Sequence, residues 1–587
     1  MDSDESADYI PRQCIPHWCR LCRFRIVKDD VVVVVVTEKE HTSQFCYSDS
    51  EDHLDERLNL RFGPCIGTCP HPEGQAAGCH WGCLSFAPLP PSLSLLKATE
   101  YSFEPCERAQ REREILISRK LSRRLGYRYG ILPPEIWFMV AEYLIRECAV
   151  VTIQESWLGR YSFSCRLDIS KSISVRHVRI DDVPYIAHLS NTDDGCNACI
   201  LRDRTANVHT VYVLEDHLGI RQILFDISKN SCGLSRFGPK PGMWWYTIPV
   251  TNGMLQTMSD GLKLRRVISS TESQLVQFTA WSTPMAQSDI RLLHFHNLSQ
   301  RMADIPHDIR MASLKLNEPT VTGYSACWNG RIIGLHAHCE GDISFYHDYS
   351  TRYKNSVWIY ACINSGESIT ELWQRKPMLS KRAAIMFRTN TGRNIIMGPH
   401  LPPWSPPAVW TQLSTLPKSP TRVYFNDSPR GICRLATSQL STNQGPTSIA
   451  GTLSPYPKRT GVGDFFHSSA NLRNAVTIRP CQETFASHSP IIGLLIQYYN
   501  GDRTCVGQVR FDCLRTELTV KSFPKLCLWF ARTKSKHPYV AKVEQFPPSD
   551  SEPYEWLDLR WEGYLEWWFS HWQCQVYHDG KSSPPLV

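Results

Sequence analysis

Two short Cys/His pairs constrain this chain more than any other feature. Cys19-Arg20-Leu21-Cys22 sets two thiols three positions apart, and His80-Trp81-Gly82-Cys83 sets an imidazole and a thiol at the same spacing. Thiolates three apart on a tight knuckle can both point at one ion. A His and a Cys three apart in a first helical turn can do the same. Together Cys19, Cys22, His80 and Cys83 offer four ligands for tetrahedral zinc. Three thiolates point to a closed, structural ion, because catalytic zinc keeps an open position and favours His and carboxylate ligands.

The cysteines are unevenly spread. Of the 23, eight fall in the first 83 residues: Cys14, Cys19, Cys22, Cys46, Cys65, Cys69, Cys79 and Cys83. Clustered thiols in a reducing compartment more often hold metal, whereas scattered ones behave as small buried hydrophobes. Phe24 to Thr37 reads as a hairpin turning near Lys28-Asp29-Asp30. Knuckle, hairpin and ligand-bearing helix, in that order, resemble a treble-clef zinc module. So small a module buries little core, so the metal supplies folding free energy. Cys65 and Cys69, with Cys14, Cys46 and Cys79, either complete a second site or stand by as free thiols.

A length of 587 residues exceeds one folding unit. Hydrophobic residues at 42% and charged residues at 21% exclude a disordered or fibrous chain. The net charge of +7 is weak for this length. Its only dense basic cluster (Arg119, Lys120, Arg123, Arg124, Arg128) reads as the solvated face of a helix, so nucleic acid is not an expected partner. The start, MDSDESADYI, is acidic where a secretory signal needs a basic, then apolar, stretch. No run approaches the ~18 apolar residues of a spanning helix. The expectation is an intracellular protein of the cytoplasm or nucleus, with no membrane partner.

Four textures divide the chain. Residues 14–86 are the Cys-rich, zinc-binding module, and 87–105 form a Pro/Ser-rich connector. Residues 106–156 read as helical. Short strands with Gly, Asn and Asp turns follow, as a β-rich domain over 157–400 and a second β-rich part over 421–587. The Pro-rich stretch 401–420 and the Ser/Thr/Gly/Pro-rich stretch 441–470 read as long loops or linkers. The fold class is therefore multidomain and mainly β: a treble-clef-like module, a short helical segment, and a large antiparallel β region built as a sandwich or β-prism, with a propeller as the alternative. Within it, 491–512 reads as a hairpin turning at Asn500-Gly501. Residues 564–578 alternate as one extended chain carrying Trp568, Ser570, Trp572, Cys574 and Val576 on one face. The repeated Ile-Ile-Gly-Leu at 332–335 and 491–494, each with Gly-Asp after it, suggests two matching hairpins from a duplicated unit.

Residues 132–144 read LPPEIWFMVAEYL. Pro133 and Pro134 suit a helix start, and Ile136, Met139, Val140, Tyr143 and Leu144 form one helical stripe. Leu132-Pro133-Pro134-Glu135-Ile136 followed by Tyr143-Leu144 resembles the opening of an F-box, the helical hook that docks on the adaptor subunit of cullin–RING ubiquitin ligases. The resemblance implies partner binding through Leu132, Pro133, Ile136, Val140 and Leu144. Beyond it the pattern departs from the family, since AVVTIQESW is β-branched and reads poorly as helix. The whole layout resembles a group of uncharacterised fungal F-box-like proteins, with CRLC, GCHWGC, an LPPEI helix, a long β region and a WWFS end.

Met386 to Gly392, with Gly398-Pro399 after it, is similar to the closing strands of jacalin-type lectins, though no sugar-binding residues carry over. Tryptophans crowd between Trp556 and Trp572. They read as core, with carbohydrate stacking as the functional alternative. His336-Ala337-His338 puts two imidazoles on one strand face, and Cys196 and Cys199 form a further CxxC. Phosphate loop, dinucleotide fingerprint, GxSxG elbow and HExxH helix are all missing. Acid pairs and Cys/His dyads that meet only in the fold stay open. The expectation is a non-catalytic adaptor using zinc as a structural cofactor and the β region as its binding surface. A lectin-like carbohydrate-binding protein and an enzyme of unknown type are the alternatives.

Overall fold

The computed structural model describes residues 10–65, 75–157, 163–192, 198–201, 208–226, 238–250, 253–270, 278–284, 290–295, 309–350, 353, 355–376, 382–406, 409–428, 430–438, 452–457, 464–484, 486, 488–520, 524–545 and 555–583. It is mainly β, with several sheets, and divides into two compact units. One comprises Met1–Gln287 with Asp304–Arg310; the other, Ser288–Ala303 with Met311–Val587. The proline-rich stretch 401–420 carries the strand Val409–Thr415 inside the second unit. No helix among the described residues is long and apolar enough to cross a membrane.

In the first unit, β1 (Arg12–Ile15), β2 (Val31–Val35), β3 (Phe45–Cys46), β4 (His53–Asp55), β5 (Leu60–Pro64) and β6 (Ala77–His80) form two three-stranded sheets, β1-β5-β4 and β3-β2-β6. The valine run makes β2, and Val32, Val33 and Val34 are fully buried. The turn foreseen at Lys28-Asp29-Asp30 exists: Asp29 has a φ of 70° and Asp30 N–H donates to the carbonyl of Val27. The expected hairpin does not. β2 pairs with β3 and β6, and Arg25 bridges back to Trp18. A run buried on both faces is satisfied by whichever strands the fold delivers, and local order does not select them.

Helices follow: α1 (Trp81–Phe86), α2 (Leu93–Ala98), α3 (Glu107–Tyr129), α4 (Pro134–Tyr143) and α5 (Ile145–Ser156). α3 ends on Gly130, whose φ of 56° closes the helix in the left-handed conformation. The β-branched stretch at 149–156 is helical after all, as α5. Its Ala149 and Val150 join the core of the Cys-rich module, and Ile153 packs with Leu95 and Ala98 of α2 and with Ile180 and Tyr185. Burial of one face outweighs the few tenths of a kcal/mol that each β-branched residue costs a helix.

Antiparallel strand pairs follow in this unit. The hairpin of Ile173–Ile180 and Val183–Ser190 turns through Asp181 and Asp182, both at positive φ (53° and 64°). That is the backbone of a two-residue primed turn, which suits the right-handed twist of the strands.

The second unit is built round one large apolar core that includes Phe387, Leu494, Leu528 and Trp567. Its sheets include a four-stranded one ordered 394–397, 384–389, 369–376, 409–415 and another ordered 466–471, 564–569, 574–578, 581–583. Two sequence expectations are corrected. Residues 564–578 are not one extended chain but a hairpin, in which Trp568 pairs with Gln575. Trp567 and Trp568 lie in the core, whereas Trp572 at the turn is exposed. The two Ile-Ile-Gly-Leu segments both begin strands, Ile332–Cys339 and Ile491–Tyr498, but only the second turns into a hairpin with the strand after it. The first runs through Gly341 into the helix Ser344–Ser350. At the second turn Gly501 alone takes positive φ (85°), and the Asn500 side chain instead accepts from Asp502 N–H.

Candidate metal centre

Cys19 and Cys22 sit on a knuckle closed by backbone bonds. Cys19 N–H donates to Phe24 O at 3.0 Å and Arg23 N–H to Cys19 O at 2.9 Å, with Arg23 at a φ of 61°. Arg20 N–H donates to Gly78 O at 2.9 Å, which ties the knuckle to β6. β6 ends on His80, and Cys83 follows in the first turn of α1.

These elements bring the four expected residues together. One donor atom from each of Cys19, Cys22, His80 and Cys83 lies within 4.8 Å of the others, and all four residues are buried. Such a group could hold a metal ion. His80 Nδ1 faces the sulfurs, 3.4 Å from Cys22 Sγ and 3.7 Å from Cys83 Sγ. The backbone N–H of His80 donates to Cys19 Sγ at 3.4 Å, and that of Phe24 to Cys22 Sγ at 3.5 Å. On the far side of the ring, His80 Nε2 lies 3.3 Å from Asp30 Oδ2, close enough to pair but not aligned for a good hydrogen bond. A carboxylate behind a histidine ligand fixes the ring and raises its basicity.

The electrostatics fit a site that wants positive charge. Burial pushes the Cys19 thiol up, but hydrogen bonds from Cys22, Cys79, Cys83 and His80 outweigh it and hold Cys19 well below the usual thiol range. Burial, with Cys19 as neighbour, pushes Cys22 up. Hydrogen bonding to Cys19 and Cys22, then burial, does the same to Cys83. A dication at the centre would favour the thiolate form of all three sulfurs.

The knuckle is braced from behind by residues that sequence reasoning missed. Arg113 of α3 donates from Nη2 to Cys22 O at 2.6 Å and from Nη1 to Arg23 O at 3.1 Å. Its Nε lies 2.7 Å from Asp181 Oδ2, which also pairs with Arg23 at 2.6 Å. The available signal was the Asp181-Asp182 dipeptide between β-branched runs, a turn marker. Nothing local links it to a knuckle 158 positions away.

Among the described residues, the second site is not assembled. Cys14 Sγ accepts from Arg12, Gln75 donates to Cys65 Sγ at 3.6 Å, and Cys46 is exposed. None of the three joins a group of metal donors. Cys69 lies outside the described residues. Cys79 is buried beside Cys19. Cys196 is also outside the described residues, and Cys199 Sγ donates to Leu201 O at 3.2 Å.

The stripe on α4 points to solvent. Trp137 rests against Gly126 and Tyr129 of α3, and Ala141 is fully buried. Leu132 (43%), Ile136 (40%), Met139 (53%), Tyr143 (85%) and Leu144 (39%) are exposed, with Pro133 exposed and Val140 half-buried. No protein-family model matches this chain, and the curated proteins contain no significant match to it.

Proposed function

We propose that this chain is a non-catalytic adaptor in which a structural zinc ion rigidifies a platform for an F-box-like hook. The observation that carries the reading is the exposed apolar face of α4. A helix that turns Ile136, Met139 and Tyr143 outward, with Leu132 and Leu144 exposed at its two ends, while anchoring itself through Trp137 and Ala141 has a face left over for a partner. Its position follows from the metal module. Ile117 of α3 and Ala149 and Val150 of α5 belong to the same core as Cys19, Cys22 and Cys83, so the helices flanking α4 share a core with the knuckle.

Zinc suits the four donors on chemistry, and the two edges from His80 to Cys22 and Cys83 agree with its geometry. Bond lengths of about 2.3 Å to sulfur and about 2.0–2.1 Å to nitrogen give tetrahedral N···S edges of about 3.5 Å. The separations from His80 Nδ1 to Cys22 and Cys83 are 3.4 and 3.7 Å. When bound, the ion supplies folding free energy and no chemistry, since all four positions are filled by protein. His80 would bind through Nδ1, oriented by Asp30 at Nε2.

The partner implied by the LPPEI resemblance is the adaptor subunit of a cullin–RING ligase, with the β-rich region as the surface that recognises a target. Co-purification of the full chain with that adaptor subunit tests the reading. Retention by the wild-type chain and loss with Ile136→Asp and Tyr143→Asp, both folded, are expected. No retention of the wild type, or retention of both variants, would end it.

A further inference from the structure

The strand Ile332–Cys339 sends alternate side chains to opposite faces, so His336 and His338 share one. The turn that follows brings Asp342 back beside them. His336 Nε2 lies 2.8 Å from Asp342 Oδ2, and the two imidazole rings sit 4.5 Å apart at 76°. One donor atom from each of the three residues lies within 4.8 Å of the other two.

Each donor is already held in place. His338 is fully buried, its Nε2 2.8 Å from Ser325 Oγ and its ring stacked on Tyr346. That leaves Nδ1 on the Asp342 side, 3.3 Å from the Asp342 carbonyl oxygen. His336 stacks on Phe345 at 5.0 Å and 7°. Asp342 Oδ1 accepts from both the N–H and the hydroxyl of Ser344, so Oδ2 is turned toward His336. Outer contacts of this kind orient imidazole and carboxylate ligands in metal proteins. The His336 and Asp342 side chains are 24% and 28% exposed, so the group opens to water on one side while His338 closes the other.

We propose that His336, His338 and Asp342 form a second metal site, open to solvent, for a divalent first-row transition ion. Two imidazole nitrogens and one carboxylate oxygen suit zinc, cobalt or iron rather than calcium or magnesium, which take oxygen ligands. Three protein ligands leave at least one position for water or a small anion, which the closed Cys19–Cys83 group does not. Ligand bonds of about 2.0–2.2 Å set N···O edges near about 3.4 Å. The 2.8 Å contact between His336 and Asp342 would therefore open by roughly half an ångström, a movement available to two partly exposed side chains.

Cobalt(II) added to the full chain as purified tests the site by equilibrium dialysis and absorption. One additional equivalent is expected, with weak d–d bands and no thiolate-to-cobalt charge transfer. His336→Ala and Asp342→Asn each weaken it at least tenfold, and Cys83→Ser leaves it in place. The proposal is overturned if the wild type takes up no additional equivalent. It is also overturned if uptake persists in both variants, or if the added ion shows sulfur charge-transfer bands. The spectrum of the unmutated chain reads the ligand set without relying on any variant to fold.

Discussion

The guanidinium of Arg23, 1% exposed, lies 2.6 Å from the carboxylate of Asp181, which Arg113 grips from the other side at 2.7 Å. This buried triad joins a knuckle, a long helix and a hairpin turn. Removing the central charge is expected to be worse than losing one ion pair, because two buried guanidinium groups are left uncompensated. Asp181→Asn should destabilise the first unit by about 3–5 kcal/mol, read by urea denaturation. A loss below about 1 kcal/mol would show that the triad is dispensable.

The same triad sets a pH dependence. Burial raises the pKa of Asp181, but Arg113 and then Arg23 outweigh burial and hold the carboxyl at about 2. An unfolded Asp titrates near about 3.9. The folded value is the lower one, so the stabilisation is complete above about pH 4 and is lost as pH falls from 4 toward 2. The contribution is about 2–3 kcal/mol, and Asp181→Asn should flatten that part of the acid-unfolding curve.

His400 gives a different window. Burial, then the neighbouring His467 and Arg375, lowers its pKa to about 3, and burial lowers that of His467 too. An unfolded imidazole takes its proton near about pH 6.5. The unfolded chain therefore binds more protons between 6.5 and 3, and stability should fall by up to about 1.4 kcal/mol per pH unit per histidine. Unfolding midpoints of wild type and His400→Gln at pH 7.5, 6 and 5 check this. Parallel slopes would remove His400 from the account.

Metal removal should act on the same core that carries the helices. Chelation, or Cys22→Ser, is expected to cost one equivalent of zinc and to lower the thermal midpoint of the first unit by at least about 5 °C. Loss of helical signal from α3 to α5 should accompany it, since Ile117, Ala149 and Val150 share that core. Unchanged stability after complete loss of the ion would mean that the valine-rich sheet suffices.

Two isoleucines on neighbouring helices should behave in opposite ways. Ile153 is fully buried and Ile136 is 40% exposed. Ile153→Ala is expected to cost about 2–5 kcal/mol, and Ile136→Ala to stay within about 0.5 kcal/mol of wild type. Equal costs in denaturant titrations would mean that α4 hides its apolar stripe in solution.

Spacing alone brought out Cys19, Cys22, His80 and Cys83, because ligands three positions apart converge whatever surrounds them. It also located the helix at Pro134, the valine strand and the turn at Gly501, since each depends on neighbours within a few residues. The partners of Val31–Val35, the helical state of 149–156 and the hairpin turn at 570–573 depended on which surfaces were left to cover. The Asp181 brace and the approach of Asp342 to His336 and His338 likewise required segments to meet in space. What the chain encodes by itself is which side chains can share an ion or a face. Which of them do so was decided by tertiary packing, because burial energy is large, non-directional and indifferent to sequence distance.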